Sequence, residues 1–145
     1  MYDDILVPTD GSDTVLATLE HALSIATDNE ATVHALSVVD TRMTAAADAE
    51  TRPALTETLE RDAQAAVTTV TDQATDAGLR TVQAVHHGTP AKEILTYGEE
   101  AGIDLIVIGT HGKTPREKLA MGSVSERVVD RAESPVLVVR GAGVE

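Results

Sequence analysis

Short apolar runs alternate along the chain with longer stretches whose apolar residues recur every three or four positions. Ile5-Leu6-Val7 is unbroken and is stopped by Pro8, which reads as a buried strand. Ser12-Asp13 is a candidate N-cap for a helix whose apolar face carries Leu16, Leu19, Leu23 and Ala26. A second strand is expected over 32–39. Residues 41–52, polar, alanine-rich and without period, read as a mobile loop. Leu55, Leu59, Ala63, Ala66, Val70 and Ala74 mark a long helix ended by Gly78. A third strand covers 80–86, and a short helix over 90–100 opens on Pro90, a residue permitted in a first turn. The run 104–108 is a fourth strand, a further helix begins near Ser123, and 135–140 is a fifth strand.

This is strand and helix in strict alternation. Apolar runs without alternation imply strands covered on both faces, hence a parallel sheet with helices on each side. Right-handed crossovers restrict the topology to an α/β doubly wound form of five parallel strands such as 3-2-1-4-5. Such sheets bind ligands beyond the carboxyl ends of the strands, where the order reverses. Here that point lies between strands one and four, so the loops 8–11 and 109–112 should meet there. With 145 residues, no internal repeat and no second compositional block, a single domain over 1–145 is expected.

Composition narrows the chemistry. Cysteine is absent, which excludes disulfides, thiolate metal sites and thiol nucleophiles. No apolar run approaches the roughly 20 residues of a membrane span. The start Met1-Tyr2-Asp3-Asp4 is acidic and lacks a signal-peptide pattern, so a cytoplasmic protein is expected. Twenty-four acids against eleven bases give a net charge of −13. Phe and Trp are absent, and lysine occurs only at Lys92, Lys113 and Lys118. Such a surface suits a halophilic setting, where salt screens repulsion among carboxylates; an ordinary acidic protein is the alternative. Either way it disfavours nucleic acid and anionic membranes as partners. The bases are unevenly placed. Residues 109–131 hold five of them (Lys113, Arg116, Lys118, Arg127, Arg131) against three acids, beside a group of glycines. An anionic ligand belongs there if anywhere.

Gly112-Lys113-Thr114 resembles the end of a P-loop, but that motif needs a glycine at position 107, which is Val107. Another arrangement is open. Gly109 ends a strand, Gly112 follows, and Gly122-Ser123 opens a helix whose first amides, from Val124 and Ser125, lack partners within the helix. Glycine lets an anion approach backbone N–H groups closely. Ser123 and Glu126 have capping-box spacing. Glycines also simply end strands, and a capping serine often only caps, so spacing alone leaves both readings open.

The stretch Gly109-x-x-Gly112, nine residues, then Gly122-Ser123, matches the G-2x-G-9x-G-[ST] signature of nucleotide-binding universal stress proteins. "ILVPTDGS", "GTPAKEIL", "DLIVIGTHG", "GSVSERVV" and "SPVLVVR" are similar to that family's blocks, in the same order and over nearly the whole chain. The resemblance implies a Rossmann-like fold of the adenine nucleotide alpha hydrolase kind that binds ATP at the switch point. It places Pro8, Thr9 and Asp10 on the adenosine side and Val38 against the adenine. Gly109, Thr110, His111, Gly112 and Lys113 would wrap ribose and phosphates, and Gly122, Ser123, Val124 and Ser125 would close over the phosphates. Two residues depart from many relatives: Pro115 where a small residue is common, and Lys113 where arginine is, which keeps the charge but not the bidentate fork. The family also pairs its fifth strand with that of a second subunit, so a homodimer through 135–140 is implied.

Asp10 could cap the first helix or bind ribose hydroxyls, and with Ser123 it is a candidate to hold Mg2+. His86 and His87 point to opposite faces of a strand and cannot easily share one ion. His111 lies in the glycine loop without a pattern that would make it a base. The chain has no G-x-S-x-G elbow and no H-E-x-x-H, and no catalytic residue is assigned. The expected function is a nucleotide-responsive stress or regulatory protein with a downstream protein partner. A slow ATP hydrolase or phosphoryl-transfer protein, and an interaction module independent of nucleotide, are the alternatives.

Overall fold

The computed structural model describes residues 1–12, 15–110 and 122–140. Its strands are β1 (Asp4–Pro8), β2 (Thr32–Asp40), β3 (Arg80–Gly88), β4 (Leu105–Gly109) and β5 (Val136–Val139). The helices among the described residues are α1 (Val15–Asn29), α2 (Thr41–Ala46), α3 (Arg52–Asp76), α4 (Pro90–Glu100) and α5 (Ser123–Arg131). The five strands form one sheet in the order β3-β2-β1-β4-β5, every pair parallel. This is the doubly wound order expected from the sequence. None of the helices among the described residues is long and apolar enough to cross a membrane.

Each strand residue presents one face, so neighbours along β1 serve opposite cores. Ile5 and Val7 pack with Val33, Ala35, Leu105 and Val107 against α1 and α3. Leu6 packs with Leu36, Ile106 and Ile108 against α4 and α5. The central strands are therefore buried on both sides, and burial of each large aliphatic side chain contributes about 1.5–3 kcal/mol. Gly78, at φ +82°, closes α3, and Leu79 N–H returns to the Ala74 carbonyl at 3.0 Å.

The register explains where the sheet opens. β1 pairs with β2 as far as Pro8↔Leu36, but with β4 only at Ile5↔Leu105 and Leu6↔Ile106. Beyond those pairs β1 and β4 part, and their chains leave toward opposite faces: β1 into α1, β4 toward α5. A crevice at that point follows from the topology.

Two local expectations are corrected. Residues 41–46 are not loop but the short helix α2. Asp40, the last residue of β2, caps it by accepting from Arg42 N–H at 2.9 Å. A strand residue supplied the cap, so the chain passes directly from β2 into a helix. Leu16 is 56% exposed, whereas α1 buries Val15, Thr18, Leu19, Ala22 and Ala26. That stripe places Leu16, about 100° from Val15, on the flank of the helix.

Candidate functional site

A cleft of about 750 Å³ lies at the carboxyl ends of β1, β2 and β4, within the range of small-molecule sites. One wall is the turn after β1. Thr9 N–H donates to the Leu36 carbonyl at 2.9 Å, which fixes the turn to β2. Gly11 N–H donates to Thr9 Oγ1 at 3.1 Å and Ser12 N–H to Asp10 Oδ1 at 2.8 Å. Gly11 has φ +80°, a left-handed conformation that glycine adopts without the cost a Cβ would bring. Asp10 thus braces its own loop through one carboxylate oxygen while its side chain stays exposed at the cleft. Asp13, the other half of the anticipated N-cap, lies outside the described residues.

The opposite wall is the end of β4 and the start of α5. Thr110 N–H donates to the Val139 carbonyl at 3.1 Å, and its own carbonyl accepts from Gly122 N–H. A Cβ on Gly122 would sit 2.8 Å from that carbonyl oxygen, so only glycine permits the contact. Glu126 N–H donates to the Gly122 carbonyl at 3.0 Å, which makes Gly122 the N-cap and Ser123 the first helical residue. The Ser123–Glu126 capping box is therefore not formed. Being tied to Thr110, Gly122 is the last extended residue, and α5 starts one position earlier than the serine would need. Ser125 Oγ donates to the Gly122 carbonyl at 2.9 Å and is buried. The amides of Ser123, Val124 and Ser125 have no acceptor among the described residues. They form the positive end of the α5 dipole and line the cleft.

The floor is Leu36, Val38 and Ile108, so Val38, which the family resemblance sets against a base, lines the cleft. Thus Pro8, Thr9, Asp10, Val38, Gly109, Thr110, Gly122, Ser123, Val124 and Ser125 all line one cleft. His111, Gly112 and Lys113 lie outside the described residues, as does Pro115. A third wall was not foreseen: Asp40 and Met43 from the start of α2, with Leu59 and Asp62 of α3. A short helix hidden in an aperiodic segment gave little signal, although an aspartate at a strand end before threonine is a cap pattern. Met43 is half exposed there. The Asp40 carboxyl is held below its ordinary range, chiefly by its side-chain bond to Arg42, with the guanidinium at 2.7 Å.

Among the described residues lining the cleft none is Lys or Arg, while Asp10, Asp40 and Asp62 are acidic. Among the described residues, then, the α5 end favours an anion, by backbone dipoles. Among the described residues no three acidic or histidine side chains are grouped to hold a metal ion. His86 faces Glu93 at 3.3 Å and His87 faces Glu60 at 3.1 Å, on opposite sides of β3.

An apolar-floored crevice at the switch point of a doubly wound sheet, with the first amides of a helix at one end, defines the molecule as a doubly wound α/β protein with a cleft in the usual ligand position of such sheets. The profile of the Universal stress protein family matches residues 1–140, and the chain belongs to that family. It is 40% identical to universal stress protein MJ0531 of Methanocaldococcus jannaschii over 141 residues, 97% of this chain and 83% of the relative. The solved structure of MJ0577, a universal stress protein of the same organism, is similar with a TM-score of 0.85 at 33% identity. That match spans 97% of this chain and 96% of the other. A universal stress protein solved in complex with cAMP is similar with a TM-score of 0.66 at 26% identity, over 96% and 97% of the two chains.

Proposed function

We propose that the chain binds an adenine nucleotide, ATP first among them, in this cleft and acts as a nucleotide-responsive stress or regulatory protein. The observation that carries the reading is that the β1 turn and the first amides of α5, at Ser123, Val124 and Ser125, which have no acceptor among the described residues, line one cleft. The cAMP complex of a relative supports an adenine ligand. In this reading Val38 packs on the base, while Pro8, Thr9 and Asp10 hold the adenosine side. Gly109 and Thr110, with His111, Gly112 and Lys113, wrap ribose and phosphates. Gly122 and the α5 amides take the terminal phosphates.

Mg2+ commonly binds through one or two protein oxygens together with phosphates. Asp10 keeps one carboxylate oxygen for such a role, and Ser123 lines the same cleft, so the donor set fits an ion that arrives with the nucleotide. The ion would neutralise phosphate charge beside the cleft's carboxylates. A homodimer through β5 belongs to the same reading, since β5 is an edge strand and a self-pairing would cover its open side. The acid excess fits a salt-rich cytoplasm.

The test uses two variants. Gly122→Val drives a Cβ into the Thr110 carbonyl and closes the approach to the amides. Ser123→Asp keeps α5 intact, because an acid in a helix's first turn stabilises it by about 0.3–1 kcal/mol. That acid also occupies the position where phosphate charge would sit. Calorimetry should show ATP affinity reduced at least tenfold in both, with light scattering unchanged. Equal affinity in a folded Ser123→Asp protein overturns the phosphate assignment. Chromatography of nucleotide released from the purified protein distinguishes ATP from AMP and cyclic nucleotide.

A further inference from the structure

Eight of the chain's bases lie among the described residues, and half of them are engaged. Arg42 pairs with Asp40 and Arg61 with Glu57, while Arg52 and Arg80 donate to backbone carbonyls. Lys92, Arg127, Arg131 and Arg140 make no ion pair or hydrogen bond among the described residues. Three of these four line one groove of about 450 Å³ between α4 and α5. In a chain of 24 acids and 11 bases, cations that form no ion pair among the described residues and gather at one place form a local field opposite to that of the whole surface.

We infer that the α4–α5 groove docks an acidic segment of a partner protein. Its cations are spread rather than convergent. Arg127 and Arg131 stand one turn apart on α5, about 6 Å along its axis. Lys92 faces them from α4 across the groove. All three are exposed. Exposed cations hold a lone ion weakly. Carboxylates repeated along a polypeptide can meet each cation in turn, the two arginines by their bidentate forks. Between the charged rows lie Leu95 and Thr96, which give an aliphatic contact and a hydroxyl to the segment's other side chains. Glu99 is the single acid among the described residues lining the groove and marks one end of the favourable track. The groove includes Thr89, next in the chain to Pro90 of the cleft, so the docked segment would lie beside the cleft. The docking itself does not depend on what fills the cleft.

The probe is a fluorescein-labelled peptide EELEELEE, followed by anisotropy at the lowest KCl concentration that preserves the circular dichroism of the folded chain. Wild type should bind it saturably. Arg127→Ala with Arg131→Ala should weaken binding at least tenfold. The charge-matched pair Arg61→Ala with Arg80→Ala, on α3 and β3, should change it less than twofold. Glu99→Gln should tighten it about twofold or more, as for an exposed charge contact. Absence of saturable binding, or equal losses in the two double variants, overturns the proposal. Displacement of the peptide by tripolyphosphate below the peptide's own Kd also overturns it, and assigns the groove to phosphate instead.

Discussion

The two faces of the sheet are built by different rules. Against α1 and α3 the core is mainly aliphatic, with Ile5, Val7, Val33, Val67, Val70 and Val107, and Gln83 Nε2 of β3 donates to the buried Thr71 Oγ1 at 2.8 Å. Under α4 and α5 an aliphatic cluster shares its face with a chain of polar side chains. His34, only 7% exposed, bonds through Nε2 to Asp4 Oδ1 at 2.9 Å and through Nδ1 to the Tyr97 hydroxyl at 2.7 Å. A carboxylate only accepts, so the Nε2 proton points to Asp4, and in the neutral imidazole Nδ1 accepts from the Tyr97 O–H. Tyr97 also meets the rings of His34 and His86 edge-on, both at 5.7 Å, and His86 reaches Glu93. Aliphatic contacts are non-directional and let a helix slide; hydrogen bonds are directional and set where α4 sits on β2 and β3. Pro90 and Ile94 of α4 line the cleft, so the polar face positions one of its walls.

The largest effect should come from the aliphatic face. Ile5 is fully buried, and Ile5→Ala should cost about 2–5 kcal/mol by lost burial and a residual cavity. Denaturant unfolding would measure it, with the same loss at pH 6 and pH 9 because no titrating group is touched. A pH-dependent loss would mean that the two faces are not independent. On the polar face His34→Leu should cost less, about 1–3 kcal/mol, by stranding the Tyr97 hydroxyl. Its effect should be strongly coupled to Tyr97→Phe in a double-mutant cycle. Additive losses would reduce the network to separate contacts.

The same contrast decides what could be read from the sequence. β1 and β4 were legible because a strand buried on both faces must be an unbroken aliphatic run. Their adjacency, and hence the site of the cleft, followed from the crossover rule. The polar face was not legible: His34 finds its partners 30 and 63 residues away, and no local pattern announces such a meeting. The Asp40–Met43 wall was missed because its helix is short and capped from inside a strand. A helix start near Ser123 was foreseen, but with Ser123 as cap. The close contact of Gly122 with Thr110, which fixes the true start, exists only once β4 and α5 are packed.

The smallest effect sharpens the comparison most. Burial, and secondarily the negative charge of Asp4, raises the Tyr97 hydroxyl above its ordinary pKa of 10.0. The folded state therefore holds this proton more tightly than the unfolded chain does. The resulting stabilisation is fully present below pH 10 and is lost as pH rises through the folded-state value. Tyr97→Phe should cost only about 0.5–1.5 kcal/mol at neutral pH, the net worth of one hydrogen bond. It should also remove a component of the phenolate absorbance that titrates above pH 10. Since Tyr97 touches both His34 and His86, the same variant should loosen α4 and lower protection of its amides from hydrogen exchange, leaving those of α1 unchanged. Equal changes in α1 and α4 would mean that the polar chain fills space without orienting the helix, and that the two faces hold the sheet in the same way after all.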